Sequence, residues 1–404
     1  MSRTPGDRRA TGNGWTRRQL LARGAAAAGA AGLGLLGGVV ATPRRARASA
    51  DDFGPLLPPN ADGLRLPPGF RSRIVAVTGE EVGHTGHTWH KYPDGGATFA
   101  TPDGGWIYVS NSERSFWLGG VGAIRFDKDG AIVDAYPILK RTHRNCAGGP
   151  TPWRTWLSCE ETGGGQVYEC DPFTPGSQGV VRPAMGSFNH EAAAVDPERR
   201  SVLLTEDQPD GLLYRFTPTR WPDLSEGTLE AAVFEDGPPI AGGRPARLAW
   251  RAVADPEARK TATRHQVDGA ARFAGGEGCW YESGVFHFST KIDHRVWRLD
   301  AATNRLDIVY DRAASSDPLL ADVDNVFAAP NGDVYVAEDP GQLQIVVLTK
   351  SGQVKPLVQV VGHFGSEVTG PALSPDGTRL YFSSQRSPGT TFEVTGPFLA
   401  PRPA

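Results

Sequence analysis

The stretch VDNVFAAPNGDVYVAED, residues 323–339, decides how this chain is read. Two apolar runs flank an Asn331-Gly332 turn signal, so the stretch is a β-hairpin, and its second strand stops on the acids Glu338 and Asp339. Five other stretches repeat the phrase: GGATFATPDGGWIYVSNSE (95–113), NCAGGPTPWRTWLSCEE (145–161), NHEAAAVDPERRSVLLTED (189–207), GGEGCWYESGVFHFSTK (275–291) and TGPALSPDGTRLYFSSQ (369–385). With the apolar cores aligned, Asn111, Cys159, Glu206, Thr290, Glu338 and Ser384 share one column. A second column upstream holds Gly95 or Gly96, Cys146, Glu191, Glu277, Asp324 and Gly370. Units of roughly 45 to 50 residues with several short strands each are blades arranged radially, because one blade alone cannot bury both of its faces. The expectation is an all-β, six-bladed β-propeller.

Composition agrees. The 50 glycines, 33 prolines and 10 tryptophans suit tight turns and aromatic-packed strands, and no long amphipathic helical pattern follows the N-terminal segment. Residues 1–48 read as a twin-arginine export signal: Arg17 and Arg18 in TRRQLL, an Ala/Gly-rich apolar stretch over 25–40, and small residues at Ala46 and Ala48. That stretch is too short and too weakly apolar for a stable membrane span. Residues 49–404 are then a single propeller domain, periplasmic or extracellular, with the twin-arginine translocase as its partner during export.

The nine arginines and one aspartate of residues 1–48, taken from 42 basic and 45 acidic residues, leave 33 and 44, a net charge of −11. Such a surface repels nucleic acids and anionic membranes, and an anionic substrate binds only where cations invert the local field. There is no P-loop, no dinucleotide fingerprint and no Ser/His/Asp arrangement.

The four cysteines of an exported chain read first as disulfide partners. A turn centred between Gly164 and Gly165 places Cys159 opposite Cys170 as a candidate pair; Cys279 has no obvious partner, and Cys146 is a metal ligand, a disulfide half or a buried thiol. In a propeller the inner strand of each blade lines a central channel, so Cys146, Glu191 and Glu277 converge there. Carboxylates packed together take up protons unless cations neutralise them, and a thiolate among oxygen ligands points to a transition metal. The candidate ligands are Glu113, Cys146, Glu160, Glu191, Glu206, Asp207, Glu277, Asp324 and Glu338. His84, His87 and His90 have helical spacing, but Gly86 and the apparent turn PDGG at 93–96 argue against a helix, so Trp89 and His90 are expected to pack under the first blade. His190 alternates with Glu191 and is expected to face away from the channel.

The phrases NSE (111–113), NCAGGPTPWRTWLSCEE (145–161), NHEAAAVD (189–196), LTED (204–207) and GEG (276–278), in order after LPPGF (66–70), resemble those of the PhoX-type bacterial alkaline phosphatases. The resemblance implies a six-bladed propeller exported by the twin-arginine route, an iron and calcium cluster in its channel, and hydrolysis of phosphate monoesters. Carried over by motif, Cys146, Glu191 and Glu277 are iron ligands with catalytic roles, and Glu113, Glu160, Asp207, Asp324 and Glu338 are calcium candidates. The chain departs from the family at Gly275, where an arginine would clamp phosphate. Arg272, Lys291 and Arg386 are possible substitutes, and Asn111, Lys291 and Arg386 are the candidates for substrate contact. A calcium-dependent lactonase-like hydrolase and a non-catalytic binding propeller are the alternatives.

Overall fold

The computed structural model describes residues 53–398 apart from Asp317, Pro340 and Ser387; the export signal expected over 1–48 lies outside the described residues. Residues 48–404 form one compact unit. Its described helical residues are two single 3-10 turns, Pro183–Met185 and Thr263–His265, and no described helix is long and apolar enough to cross a membrane.

The strands form antiparallel meanders running outward from inner strands Pro93–Ala100, Asn145–Pro150, His190–Asp196, Gly276–Glu282, Val323–Ala328 and Val368–Leu373. Hydrogen bonding groups them into five sheets, because the meanders starting at His190–Asp196 and Gly276–Glu282 join at their outer edges through Ala246↔Leu306 and Arg247↔Arg305 into one nine-stranded sheet. Each inner strand touches the next, and Val368–Leu373 returns to Pro93–Ala100. Early strand Arg71–Val77 pairs with the last strand, Thr390–Thr395, so the two ends of the circle are joined by hydrogen bonds. This is an all-β propeller.

Local chemistry sets the hairpins. At the Asn331-Gly332 turn Gly332 has φ +91°, a left-handed conformation that costs glycine little, and Asn331 Oδ1 accepts from the Asp333 amide at 3.0 Å. Apolar clusters fill the spaces between successive sheets. Trp106, Tyr108 and Tyr381 pack between the first and last, and Trp89 joins them, its Nε1 donating to Thr391 Oγ1 at 3.0 Å. His90 lies against Trp89 with ring centres 4.2 Å apart, and His190 turns from the channel to stack on Phe188 at 3.6 Å. Near the axis the inner strands approach so closely that only glycine fits. A Cβ on Gly149 would lie 1.7 Å from the Ala193 carbonyl oxygen, and one on Gly278 would lie 2.5 Å from the Val326 nitrogen.

Two sequence-level expectations fail here. The residues opposite the start of each inner strand are Ser112, Glu160, Glu206, Thr290, Glu338 and Ser384, so the first two members of the first column sit one residue beyond Asn111 and Cys159. A one-residue slip turns a side chain to the other face of its sheet. The hairpin holding Cys159 is also offset: Cys159 faces Val167, and Cys170 faces Trp156. Cys159 packs toward the third sheet with Val202 and Leu204, Cys170 toward the first with Val109 and Val121, and all four cysteines are free. Thiols on opposite faces of one sheet cannot be bridged without moving the backbone.

Candidate metal and substrate site

Every inner strand is irregular at the same place. Register shifts fall between Pro93 and Gly96, Asn145 and Gly148, His190 and Ala193, Gly276 and Cys279, Val323 and Val326, and Thr369 and Ala372. A bulge re-aims the side chain it carries, and the residues at these bulges include Asp94, Cys146, Glu191, Glu277 and Asp324, with Gly370 in the last strand. The neighbouring sheets fix the bulged backbones. Asn111 Nδ2 donates to the carbonyls of Cys146 (3.0 Å) and Ala147 (2.7 Å), Thr205 Oγ1 to Glu277 O (2.6 Å), and Thr369 Oγ1 to Pro93 O (2.9 Å).

A second ring follows the second strands. The amides of Glu113, Glu161, Asp207, Lys291, Asp339 and Gln385 donate to the carbonyls of Tyr92, Arg144, Asn189, Gly275, Asp322 and Glu367 at 2.8 to 3.1 Å. The two rings bring three ligand groups together, each offering one donor atom per residue within 4.8 Å of the others: Cys146, Glu161 and Glu191; Glu191, Glu277 and Asp324; and Asp94, Glu113 and Glu367. Beneath them, glycines leave a gap of about 20 Å³ between the inner strands, room for about one water. The acids meet solvent on the loop side, where the bordering side chains of Arg144, Lys291 and Arg386 are partly exposed.

Burial, and then the surrounding like charges, push the carboxyls of Asp94, Glu191 and Asp324 well above the ordinary range. Burial does the same to Glu277, against the opposing charge of Lys291. Burial raises Glu161 to about 8, opposed by Arg144, and raises Glu367 to about 11 with help from Asp339. The Cys146 thiol is pushed up by burial and by Asp94 and Glu191. Glu191 Oε1 is buried without a hydrogen-bond partner. A buried carboxylate oxygen with nothing to accept from is costly, and a cation resolves it. The donor set, one sulfur among several carboxylates, fits a mixed transition-metal and calcium site.

Three cations border the acids. Lys291 Nζ lies 2.6 Å from Glu277 Oε1 and 2.7 Å from Asp207 Oδ2; burial opposes its charge, but these two carboxylates outweigh it and keep the ammonium protonated. Arg386 reaches Glu367 at 2.8 Å and Glu113 at 3.6 Å. Arg144, which drew no attention in the sequence, pairs with Glu113 at 2.8 Å and with Glu161. Arg272 is turned outward onto the Asp210 carbonyl (2.7 Å).

Four expected site residues are occupied elsewhere. Glu160 accepts from the amides of His143 (2.8 Å) and Gln166 (3.2 Å), and Glu338 from those of Ala321, Gln342 and Gln344 (3.0 to 3.1 Å). Glu206 accepts from Tyr214 OH (2.9 Å) and the Leu212 amide (3.2 Å). These glutamates satisfy loop backbone behind the pocket. Asn111 is buried with both ends used, its Oδ1 accepting from Trp156 Nε1 and Ser158 Oγ at 2.9 Å, which leaves nothing for a substrate. Their places are taken by Asp94, Glu161 and Glu367. Asp94 was hidden because PDGG imitates a turn while forming the start of strand Pro93–Ala100. Glu161 is the second acid of the CEE run, and Glu367 carries no sequence signal.

The family model "Alkaline phosphatase PhoX" matches residues 120–167 and 163–389. Among solved structures, Pseudomonas fluorescens PhoX in complex with vanadate, a transition state analogue, superposes with a TM-score of 0.70 at 16% identity, covering 85% of this chain and 98% of that one. A Bacteroides thetaiotaomicron protein of unknown function gives a TM-score of 0.50 at 10% identity over 80% and 76% of the two chains. A Xanthomonas campestris gluconolactonase reaches 0.46 at 13% identity over 85% and 98%, too weak a likeness to bear on function. No curated protein matches the chain. At such identities the superpositions speak for the fold, while the family match runs through most of the propeller, from the first sheet to the last, and on that ground the chain belongs to the alkaline phosphatase PhoX family.

Proposed function

We propose that this protein is an exported, metal-dependent hydrolase of phosphate monoesters, working at an iron and calcium cluster in the channel of a propeller whose meanders count as six blades. The observation that carries the reading is Glu191: its carboxylate belongs to two of the ligand groups, and its Oε1 is buried and unpartnered. Iron would be held by Cys146, Glu191 and Glu277 with Glu161 beside them; calcium would be held by Asp94, Glu113, Asp207, Asp324 and Glu367. Such cations, when bound, neutralise the phosphoryl and leaving-group oxygens and supply the activation of water that no protein nucleophile here provides.

The chain's own residues do the rest. Lys291, Arg386 and Arg144 stand around the acids as donors for the non-bridging oxygens of a phosphate. Each is now engaged by carboxylates, and with those carboxylates committed to bound cations the three side chains would be free to turn toward an anion. Cys146 in the ligand set favours this reading over a lactonase-like calcium site, which needs no thiolate. Residues 1–48 support export and a periplasmic or extracellular location.

The test is hydrolysis of p-nitrophenyl phosphate by protein purified without chelators. Activity that is lost on chelation and returns with iron and calcium supports the assignment. A metal-replete protein inert on a panel of phosphate monoesters removes it.

A further inference from the structure

Four aromatic side chains are exposed among the described residues: Tyr92 (40%), Phe116 (82%), Trp117 (65%) and Phe364 (89%). Tyr92, Phe116 and Trp117 lie on loops beside Glu113 of the acidic pocket, whereas Phe364 lines a separate groove with Pro58, Pro59 and Val360. Tyr92 precedes the first inner strand and accepts the Glu113 amide; Phe116 and Trp117 follow Glu113; Phe364 stands three residues before Glu367. Three solvated aromatic rings on the loops beside one acid are unusual on a free surface.

Two further observations give the rings a direction. Tyr92, Phe116 and Trp117 have φ of +52°, +60° and +61°, a conformation costly for bulky residues that persists where surrounding structure imposes it. The rings also border the cations. Trp117 and Phe116 meet His143, next to Arg144, with centres 6.2 and 6.3 Å apart, and the Arg386 guanidinium lies 5.9 Å from the centre of Tyr92. A charged end at the bottom and an apolar end at the rim match one kind of ligand.

We propose that the substrate's alcohol portion is aromatic or otherwise apolar and binds across Tyr92, Phe116 and Trp117 while its phosphate sits among Arg144, Lys291 and Arg386. This rests on the phosphate-ester reading above and names its substrate class. The net charge of −11 over residues 49–404 argues against an anionic membrane as the occupant.

The experiment compares benzyl phosphate with ethyl phosphate, whose leaving alcohols are similar in acidity, on metal-loaded full-length protein, and measures binding of benzylphosphonate and ethylphosphonate by calorimetry. The benzyl compounds should be favoured by about tenfold or more in kcat/KM and in affinity. The ratio should fall toward one in the Phe116→Ala/Trp117→Ala variant. Equal kcat/KM and equal affinity for the two compounds overturn this inference and leave the phosphatase reading standing. Failure to hydrolyse either ester removes the phosphatase reading, and the phosphonate affinities then still decide whether the rim selects aromatic groups. Ring substitutions that leave the ratio unchanged but convert an oligomer to monomer reassign the rim to contact between copies of this chain, against the proposal.

Discussion

Lys291 Nζ sits 2.6 Å from Glu277 Oε1, so the chain itself supplies a cation to a carboxylate proposed as an iron ligand. The same ammonium reaches Asp207 Oδ2 at 2.7 Å. Lys291→Met should lower kcat/KM on phosphate monoesters at least about tenfold, the scale of losing one charged donor to a transition state. It should also lower the melting temperature of chelator-stripped protein more than that of loaded protein, because only the stripped protein depends on the ammonium to offset Glu277 and Asp207. Equal losses in both states would point to a purely structural lysine.

Asp324 shares its ligand group with Glu191 and Glu277, with Asn325 Nδ2 donating to its Oδ1 at 2.8 Å. Removing one of several crowded like charges relieves repulsion only when no cation is present. Asp324→Asn should therefore raise the melting temperature of the stripped protein and shrink the further rise produced by calcium. Thermal unfolding with and without calcium reads both signs.

Cys146 and Cys159 separate ligand from packing. Cys146→Ser should abolish a thiolate-to-iron band in the visible spectrum of a protein that remains folded. Cys159→Ser should keep the band and cost about 1–3 kcal/mol of stability, because a hydroxyl then replaces a thiol buried among Val167, Val202 and Leu204. Bleaching by Cys159→Ser alone would reverse the assignment.

Gly275, with φ +67°, would place a Cβ 2.9 Å from Lys291 Cγ. Arg144 occupies the corresponding place of the second sheet at φ +50°, so the position tolerates a side chain at a cost of roughly 1–2 kcal/mol. Gly275→Arg should lower stability by about that amount and displace Lys291, leaving phosphatase activity no higher than in the parent. A clear gain in kcat/KM would show that the arginine found here in the family is what limits this chain.

Burial lowers His190 from 6.5 to about 4, its Nε2 lying 3.0 Å from the Gly186 carbonyl oxygen. Between those values the unfolded chain binds a proton that the folded ring refuses, so stability is full above about pH 6.5 and falls as pH drops toward 4. Urea unfolding at pH 7 and pH 5 reads that loss as the difference between wild type and His190→Phe, because the raised carboxyls of the pocket shift both proteins in the opposite direction. His190→Phe should reduce it by keeping the stack on Phe188 without a titrating ring.

The repeat, the hairpins and the acidic inner column were legible because strand patterning and turn chemistry are local. Glu191, Glu277, Asp324 and Cys146 stood in register in the sequence and do meet in space. What sequence could not supply was parity. The slip at Asn111 and Cys159 exchanged channel-facing for sheet-facing residues and favoured Glu160 over Glu161, while a turn placed between Gly164 and Gly165 suggested the Cys159–Cys170 pairing that the true register, Cys159 opposite Val167, rules out. Bulges were equally invisible, since the extra residue that aims Asp94 into the pocket leaves only a turn-like PDGG. Arg144 and Glu367 enter through loops, where position depends on neighbouring sheets and not on any pattern in their own segment.

Elemental analysis of protein exported by a twin-arginine-competent host, purified without chelators and desalted, tests the proposed metal centre most directly. Iron and calcium should both remain in stoichiometric amounts, and the iron should be lost in Cys146→Ser and in Glu191→Gln. Folded wild-type protein that retains neither metal, and binds neither when they are supplied, would contradict it.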